Sequence, residues 1–250
     1  MKYAIKNSFL TLALAFSLPV YGELNIEQPI EQAQKIGSIY IGVQGGPAIY
    51  EGNYTAQKTG GIPETIAFQA GGTSGIIGGC MGVDGRYSFL YGAVEGNVYY
   101  DSLDQMIGLL TSPTGIPNHI VKAKNIVLGG VLGKIGFYSG DVVTYLLGGM
   151  TAGRWTLGLE NDSAINYCRG IQPQSSMFFN HNLTGGKIGA GVRFPMYGDW
   201  LFFDMQYSYN WYGDMTISLR DLATDSVWLH RLNDEQHMVL FSLNASLYSF

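Results

Sequence analysis

Trp200-Leu-Phe-Phe-Asp-Met-Gln-Tyr-Ser-Tyr-Asn-Trp-Tyr212 is the stretch on which the fold turns. From Leu201 to Trp211 every odd position is large and apolar or aromatic, and from Asp204 to Asn210 every even position is polar. A period of two describes an extended strand with one greasy face and one wet face. The run is about as long as a tilted strand must be to cross a hydrocarbon layer, roughly 9–11 residues. Alternation alone does not say whether the greasy face meets a protein core or lipid. The rest of the chain decides that, and it points to lipid.

Residues 1–22 read as a secretory signal peptide. Lys2 and Lys6 supply the positive start, Phe9 to Leu18 the apolar run, and Val20-Tyr21-Gly22 the cleavage site before Glu23. The other reading, an uncleaved anchor helix, needs about 18 apolar residues, more than this run holds. Removing 22 of the 250 residues leaves 228, and losing two lysines takes the net charge from −5 to −7. That charge opposes nucleic acid as a partner. No later segment reads as a membrane helix, since the most apolar one, Ile126 to Phe137, is broken by Gly129, Gly130, Gly133 and Gly136. A spanning chain without helices must close its sheet, because lipid offers no partner to an open backbone group. The composition suits a tightly curved sheet, with 35 glycines, 17 tyrosines and only 13% charged residues.

Short turns and long segments then alternate. Asp84-Gly85, Gly140-Asp141 and Gly198-Asp199 mark tight reversals, where Asp, Asn and Gly tolerate positive φ. Between them lie longer segments at 49–73, 101–122, 156–184 and 213–236, expected to be external loops. Residues 23–36 form a polar lead-in. Three turns and four loops connect eight strands, expected near 38–48, 74–83, 89–100, 123–136, 142–155, 185–195, 200–212 and 237–249. Long loops on one rim and short turns on the other are the outer-membrane pattern. A soluble lipocalin-like barrel has no reason for that asymmetry.

The faces follow from the charges. Leu90, Val94, Val98 and Tyr100 oppose Tyr91, Glu95, Asn97 and Tyr99; Ile188, Val192 and Phe194 oppose Lys187 and Arg193. On Val143 to Trp155, the face of Val143, Tyr145 and Leu147 is expected to meet lipid, leaving Arg154 inside. Glu95, Lys134, Arg154, Lys187, Arg193 and Asp204 thus form an expected charged network in the lumen. Tyr99, Tyr100, Trp155, Trp200, Trp211 and Tyr212, near strand ends, are expected to form aromatic girdles at the membrane–water interfaces.

The chain ends Leu243-Asn-Ala-Ser-Leu-Tyr-Ser-Phe250. A last strand closing on Phe250, with Tyr248 two residues earlier, resembles the terminal signature of small eight-stranded bacterial outer-membrane barrels: the OmpA-like domains, the opacity-type proteins and the OmpW-like barrels. The resemblance implies an insertion signal at Tyr248 and Phe250, read by the barrel assembly machinery. One departure stands out. Val239, Phe241, Leu243, Ala245 and Leu247 keep one phase, and Tyr248 and Phe250 keep the other. A slip of one residue flips faces, so the end must bulge or leave the sheet.

Other chemistry is sparse. His119, His181, His230 and His237 have no metal-ligand spacing, and the pairs Asp225/His230 and Ser226/His230 are too generic to mark catalysis. Cys80 and Cys168 are expected at opposite rims, which disfavours a bridge. No catalytic, metal or cofactor residue is assigned. The expected protein is a monomeric, all-β, eight-stranded transmembrane barrel at 37–250, in contact with outer-membrane lipid. Its role is expected to be structural and interactive, with Tyr54, Trp228 and the apolar residues Met106–Leu110 meeting a host or environmental ligand. The alternative is a narrow channel for small or hydrophobic solutes, its lumen lined by Gly129, Gly148, Gly189 and Gly191.

Overall fold

The computed structural model describes residues 36–60, 63–110, 119–161, 176–198, 200–221 and 226–250. The signal peptide, nearly all of the lead-in and Cys168 lie outside the described residues. The described chain is all strand: β1 (Ile36–Thr59), β2 (Glu64–Tyr87), β3 (Leu90–Asp101), β4 (Asp104–Leu110), β5 (His119–Ser139), β6 (Val142–Asn161), β7 (Ser176–Tyr197), β8 (Leu201–Tyr212), β9 (Met215–Asp221) and β10 (Ser226–Ser249). Every pairing is antiparallel between neighbours, and β1 also pairs β10, so β1-β2-β3-β5-β6-β7-β8-β10 close into a ring of eight. β4 and β9 are continuations of β3 and β8 after short breaks.

The period of two organises the cross-section. Along β3 and β8 burial alternates residue by residue. Ile135 is 70% exposed while Lys134 beside it is 1% exposed. The barrel is thus inside out, with its charges within and its aliphatic side chains on the outer wall. No charged residue interrupts the outward rows from Ile77 to Val83, Val127 to Phe137 or Leu201 to Trp211.

The turn at Gly140 has φ +62° and that at Gly198 has φ +54°, conformations that glycine adopts without penalty. The first turn is not at Asp84-Gly85. β2 runs on as strand to Tyr87, and the chain reverses at Ser88-Phe89. The ends meet as the phase change demands: Ile39 pairs Tyr248 and Tyr40 pairs Ser246, which leaves Leu247 as a bulge. Gly37 and Phe250 then exchange two backbone hydrogen bonds of 2.8 Å each.

The described parts of the segments expected as external loops are largely strand. Above the lipid-facing rows, β3 stops pairing β2 where the Ser102 N–H reaches the Gly75 carbonyl, and β8 stops pairing β7 where the Gly213 N–H reaches Thr184. Beyond these points the ring divides. β2, β1, β10 and β9 continue as one sheet, and β4, β5, β6 and β7 as another. Tyr54, Trp228 and Ile217 of the first pack with Leu157, Ala123 and Leu183 of the second in one apolar core. The alternation that drives this cap is already present in Tyr50, Tyr54 and Ala56, which simply continue the inward row of β1.

One face assignment is reversed. On β6, Val143, Tyr145, Leu147 and Trp155 point inward and Arg154 points outward. Both faces of this strand are apolar through the bilayer, and Arg154 lies past the lipid-facing stretch, so its charge is a poor marker of the lumen. Trp155 at 1%, Tyr99 at 2% and Tyr212 at 3% exposure are lumen residues, not girdle residues. Closeness to a strand end does not fix the face; the phase does.

Candidate functional site

The lumen holds two layers of polar side chains. The inner layer, nearer the tight turns, is a charged lattice. Arg193 donates from Nε and Nη2 to the two oxygens of Asp204, at 2.8 and 3.1 Å, and from Nη1 to Asp84 at 2.5 Å. Its guanidinium lies 3.8 Å over the Phe202 ring and 5.0 Å over Tyr40. Lys134 donates to Glu95 at 2.5 Å and stands 3.9 Å from Asp204. Glu95 also accepts from the Tyr40 hydroxyl at 2.9 Å and from Gln44 Nε2 at 3.3 Å. Lys187 is buried over the Tyr99 ring. Asp84, Glu95 and Asp204 thus pair with Arg193 and Lys134, as buried charges require, while Lys187 meets the Tyr99 ring and makes no ion pair among the described residues.

Five of the six expected charged residues face this lumen: Glu95, Lys134, Lys187, Arg193 and Asp204. Arg154 does not. Asp84 belongs to the lattice and was hidden by its reading as a turn residue, although it stands in phase with Cys80 and Gly82. The close packing includes glycine. A Cβ on Gly191 would lie 2.6 Å from the Tyr145 ring, and one on Gly82 2.5 Å from Tyr40. Gly129 and Gly148, expected to line a channel, are on the outer wall, in the phase of Val131 and Leu146.

The outer layer is aromatic and amidic. Tyr50 donates to Asp101 and accepts from Gln236. The Gln236 carbonyl accepts from Asn210 Nδ2 at 2.8 Å and from the Tyr212 hydroxyl at 3.1 Å. Trp155 packs edge-on against Tyr50 and Tyr212, at 5.8 and 5.5 Å between centroids. Higher still, His230 Nδ1 meets the Tyr54 hydroxyl. Tyr54 and Trp228, expected as exposed contacts, face the cap's core because they fall on the inward phase. Asp234 is buried beyond the bilayer-facing stretch, where the outward residues of β1 and β10 are Glu51, Asn53, Asn233 and Glu235. Burial, with Asp101 nearby, pushes its carboxyl well above the usual carboxylate range. At the cap's surface Asn233 and Arg231 hold the Asp214 carboxyl below that range. Among the described residues no three His, Cys, Asp or Glu side chains converge as a metal site.

The outer wall completes the assignment. Aliphatic rows girdle the barrel, with Tyr87, Phe89, Tyr197 and Trp200 exposed near the tight turns and Tyr100 and Trp211 exposed at the far edge. Charges inside, aliphatics outside and no open edge around the ring are what a bilayer demands. The chain is a transmembrane β-barrel. No family model matches the barrel, and no curated protein matches it. Solved structures similar to the barrel include Ail, the attachment invasion locus protein of Yersinia pestis, at 12% identity, with 77% of this chain and 98% of that one covered and a TM-score of 0.31. The outer membrane protease OmpT of Escherichia coli is similar at 9% identity, with 88% and 100% covered and a TM-score of 0.41. A Pseudomonas aeruginosa FadL homologue is similar at 10% identity, with 84% and 91% covered and a TM-score of 0.28.

Proposed function

We propose that this is a plugged, surface-displayed barrel of the Gram-negative outer membrane, which acts through its strand-built cap and not by conducting solutes. The observation that carries the reading is the filled lumen. A charged lattice, an aromatic–amide layer and the cap's apolar core lie in succession along the axis, and a ring of eight strands leaves room for little else. In this reading the partner meets the outer faces and edges of the cap, and the buried rings hold the two sheets in place. No catalytic role is assigned: His230 is engaged with Tyr54, and His237 Nδ1 with the Tyr207 hydroxyl at 2.7 Å. The test is to replace the cap strands by short hairpins while keeping the barrel. Loss of surface adhesion or envelope resistance supports the reading; unchanged behaviour of both overturns it.

The channel reading keeps one observation in its favour. Gln206, Ser208, Ser242 and Asn97 have buried polar atoms without a protein partner, and they share the lumen with Lys187. Such atoms call for water. Planar-bilayer recording separates the readings. Discrete conductance that changes in Glu95→Ala would favour the channel, and its absence favours the plug.

A further inference from the structure

Where the ring divides into the two sheets of the cap, it opens along two seams, and the seams are unlike. At the seam between β2 and β4, Ser102 fastens the edges. Its N–H and its hydroxyl both donate to the Gly75 carbonyl, at 3.1 and 3.0 Å, and the hydroxyl accepts from the Gly75 N–H at 3.1 Å. At the seam between β7 and β9, the Gly213 N–H reaches the Thr184 carbonyl at 3.0 Å, and above that point no strand pairing joins the two edges among the described residues. β9 pairs only β10, and residues 176–184 of β7 pair only β6. Each edge therefore presents a row of backbone N–H and C=O groups on its open side.

These two edges lack the devices that keep sheets apart. Proline, lysine, bulges and inward charges usually protect an edge. Ser176-Met-Phe-Phe-Asn-His-Asn-Leu-Thr184 has no proline and no Lys, Arg, Asp or Glu, and Met215-Thr-Ile-Ser-Leu-Arg-Asp221 is charged only at its last two positions. Their inner faces are apolar: Met215 and Ile217 of β9 and Leu183 of β7 belong to the cap's core, with Phe179 packed against it. Strand direction then selects the occupant. β8 and β9 are both antiparallel to β10, and β8 is antiparallel to β7, so the β9 edge runs opposite to the β7 edge. A single foreign strand laid between them would be antiparallel to one edge and parallel to the other, and parallel pairing is the less stable. A second copy of this chain, turned by half a turn about the membrane normal, offers its β7 to β9 and its β9 to β7, and both pairings are antiparallel.

We propose that the β7–β9 seam is a self-association surface, through which the caps of two copies join edge to edge. The membrane holds both copies with their caps on one side, so a two-fold axis along its normal closes the pair. Each β2-β1-β10-β9 sheet continues into the second copy's β7-β6-β5-β4 sheet, and the two cap cores become one. The fastened β2–β4 seams lie at the far ends. This inference deepens the reading of the cap as the working part of the protein. A monomer that still adheres would refute the pairing and leave that reading standing.

The mature chain folded in detergent micelles tests this, with its protein mass read by light scattering over a dilution series. At high concentration the expected mass is twice that of one chain. Ser218 and Asn180 are exposed at the middle of the two edges. Ser218→Lys with Asn180→Lys sets like charges across both joins and should return the mass to that of one chain. Ser218→Lys with Asn180→Glu sets opposite charges there and should restore the doubled mass. A single-chain mass for the wild type throughout, or a doubled mass that the two lysines leave unchanged, would overturn the pairing. Should the lysine variant fail to fold, amide hydrogen exchange of the wild type decides. Amides of Met215–Asp221 that exchange more slowly at high than at low protein concentration support the pairing, and equal rates overturn it.

Discussion

Arg193 has more to lose than any other side chain in the barrel. It holds Asp204 by two hydrogen bonds and Asp84 by a third, all within the lumen. Arg193→Met takes the guanidinium from both carboxylates, leaving Asp204 with Lys134 at 3.9 Å and Asp84 with Ser38, and the expected loss is about 3–5 kcal/mol. The urea midpoint of the detergent-folded protein measures it. Adding Asp204→Leu to the same chain should recover part of that loss, because an apolar pair can replace a buried ionic one. Asp214→Asn is the counterexample: Arg231 and Asn233 hold Asp214 at the surface, so the change should cost under about 1 kcal/mol. The sign with pH follows from the depressed Asp214 carboxyl. The pair contributes in full above the ordinary carboxylate range and fades as pH falls through the lowered value. At this scale the sequence was legible where polar phase and charge agreed, as at Glu95 and Asp204. It misled at Arg154, where both faces of the strand are apolar, and it concealed Asp84 and Asp234 under readings as turn and loop.

At the scale of the element, close approach sets the tolerances. Gly191→Val would drive a side chain against the Tyr145 ring, and the expected cost is about 1–3 kcal/mol, checked by the same urea midpoint. Strands were legible wherever one face was greasy and the other wet, as on β8. Their outer ends were not, because leaving the bilayer changes what the outward face should be. Glu51, Asn53, Asn233 and Arg231 on the outward rows look like loop residues, although the inward rows of β1 and β10 continue without a break. The phase change before Phe250 was readable as a required irregularity, and its form is a one-residue bulge at Leu247. Cysteine labelling on intact cells checks the cap. Gln57→Cys, on an exposed position of β1, should react with an impermeant maleimide, and Tyr54→Cys, three residues away and fully buried, should not.

At the scale of the molecule, the closed ring should make the protein resist cold SDS. The expected outcome is an outer-membrane band whose mobility shifts on boiling; a soluble periplasmic protein with no shift would contradict the barrel. The ring is closed by β1 on β10, and its last bonds join Gly37 to Phe250 across 213 residues of sequence. Joining ends so far apart is entropically expensive and slow, and nothing before the final strand can seal the sheet. A message cut short by a premature stop therefore yields a chain with two raw edges, however well its other strands pair.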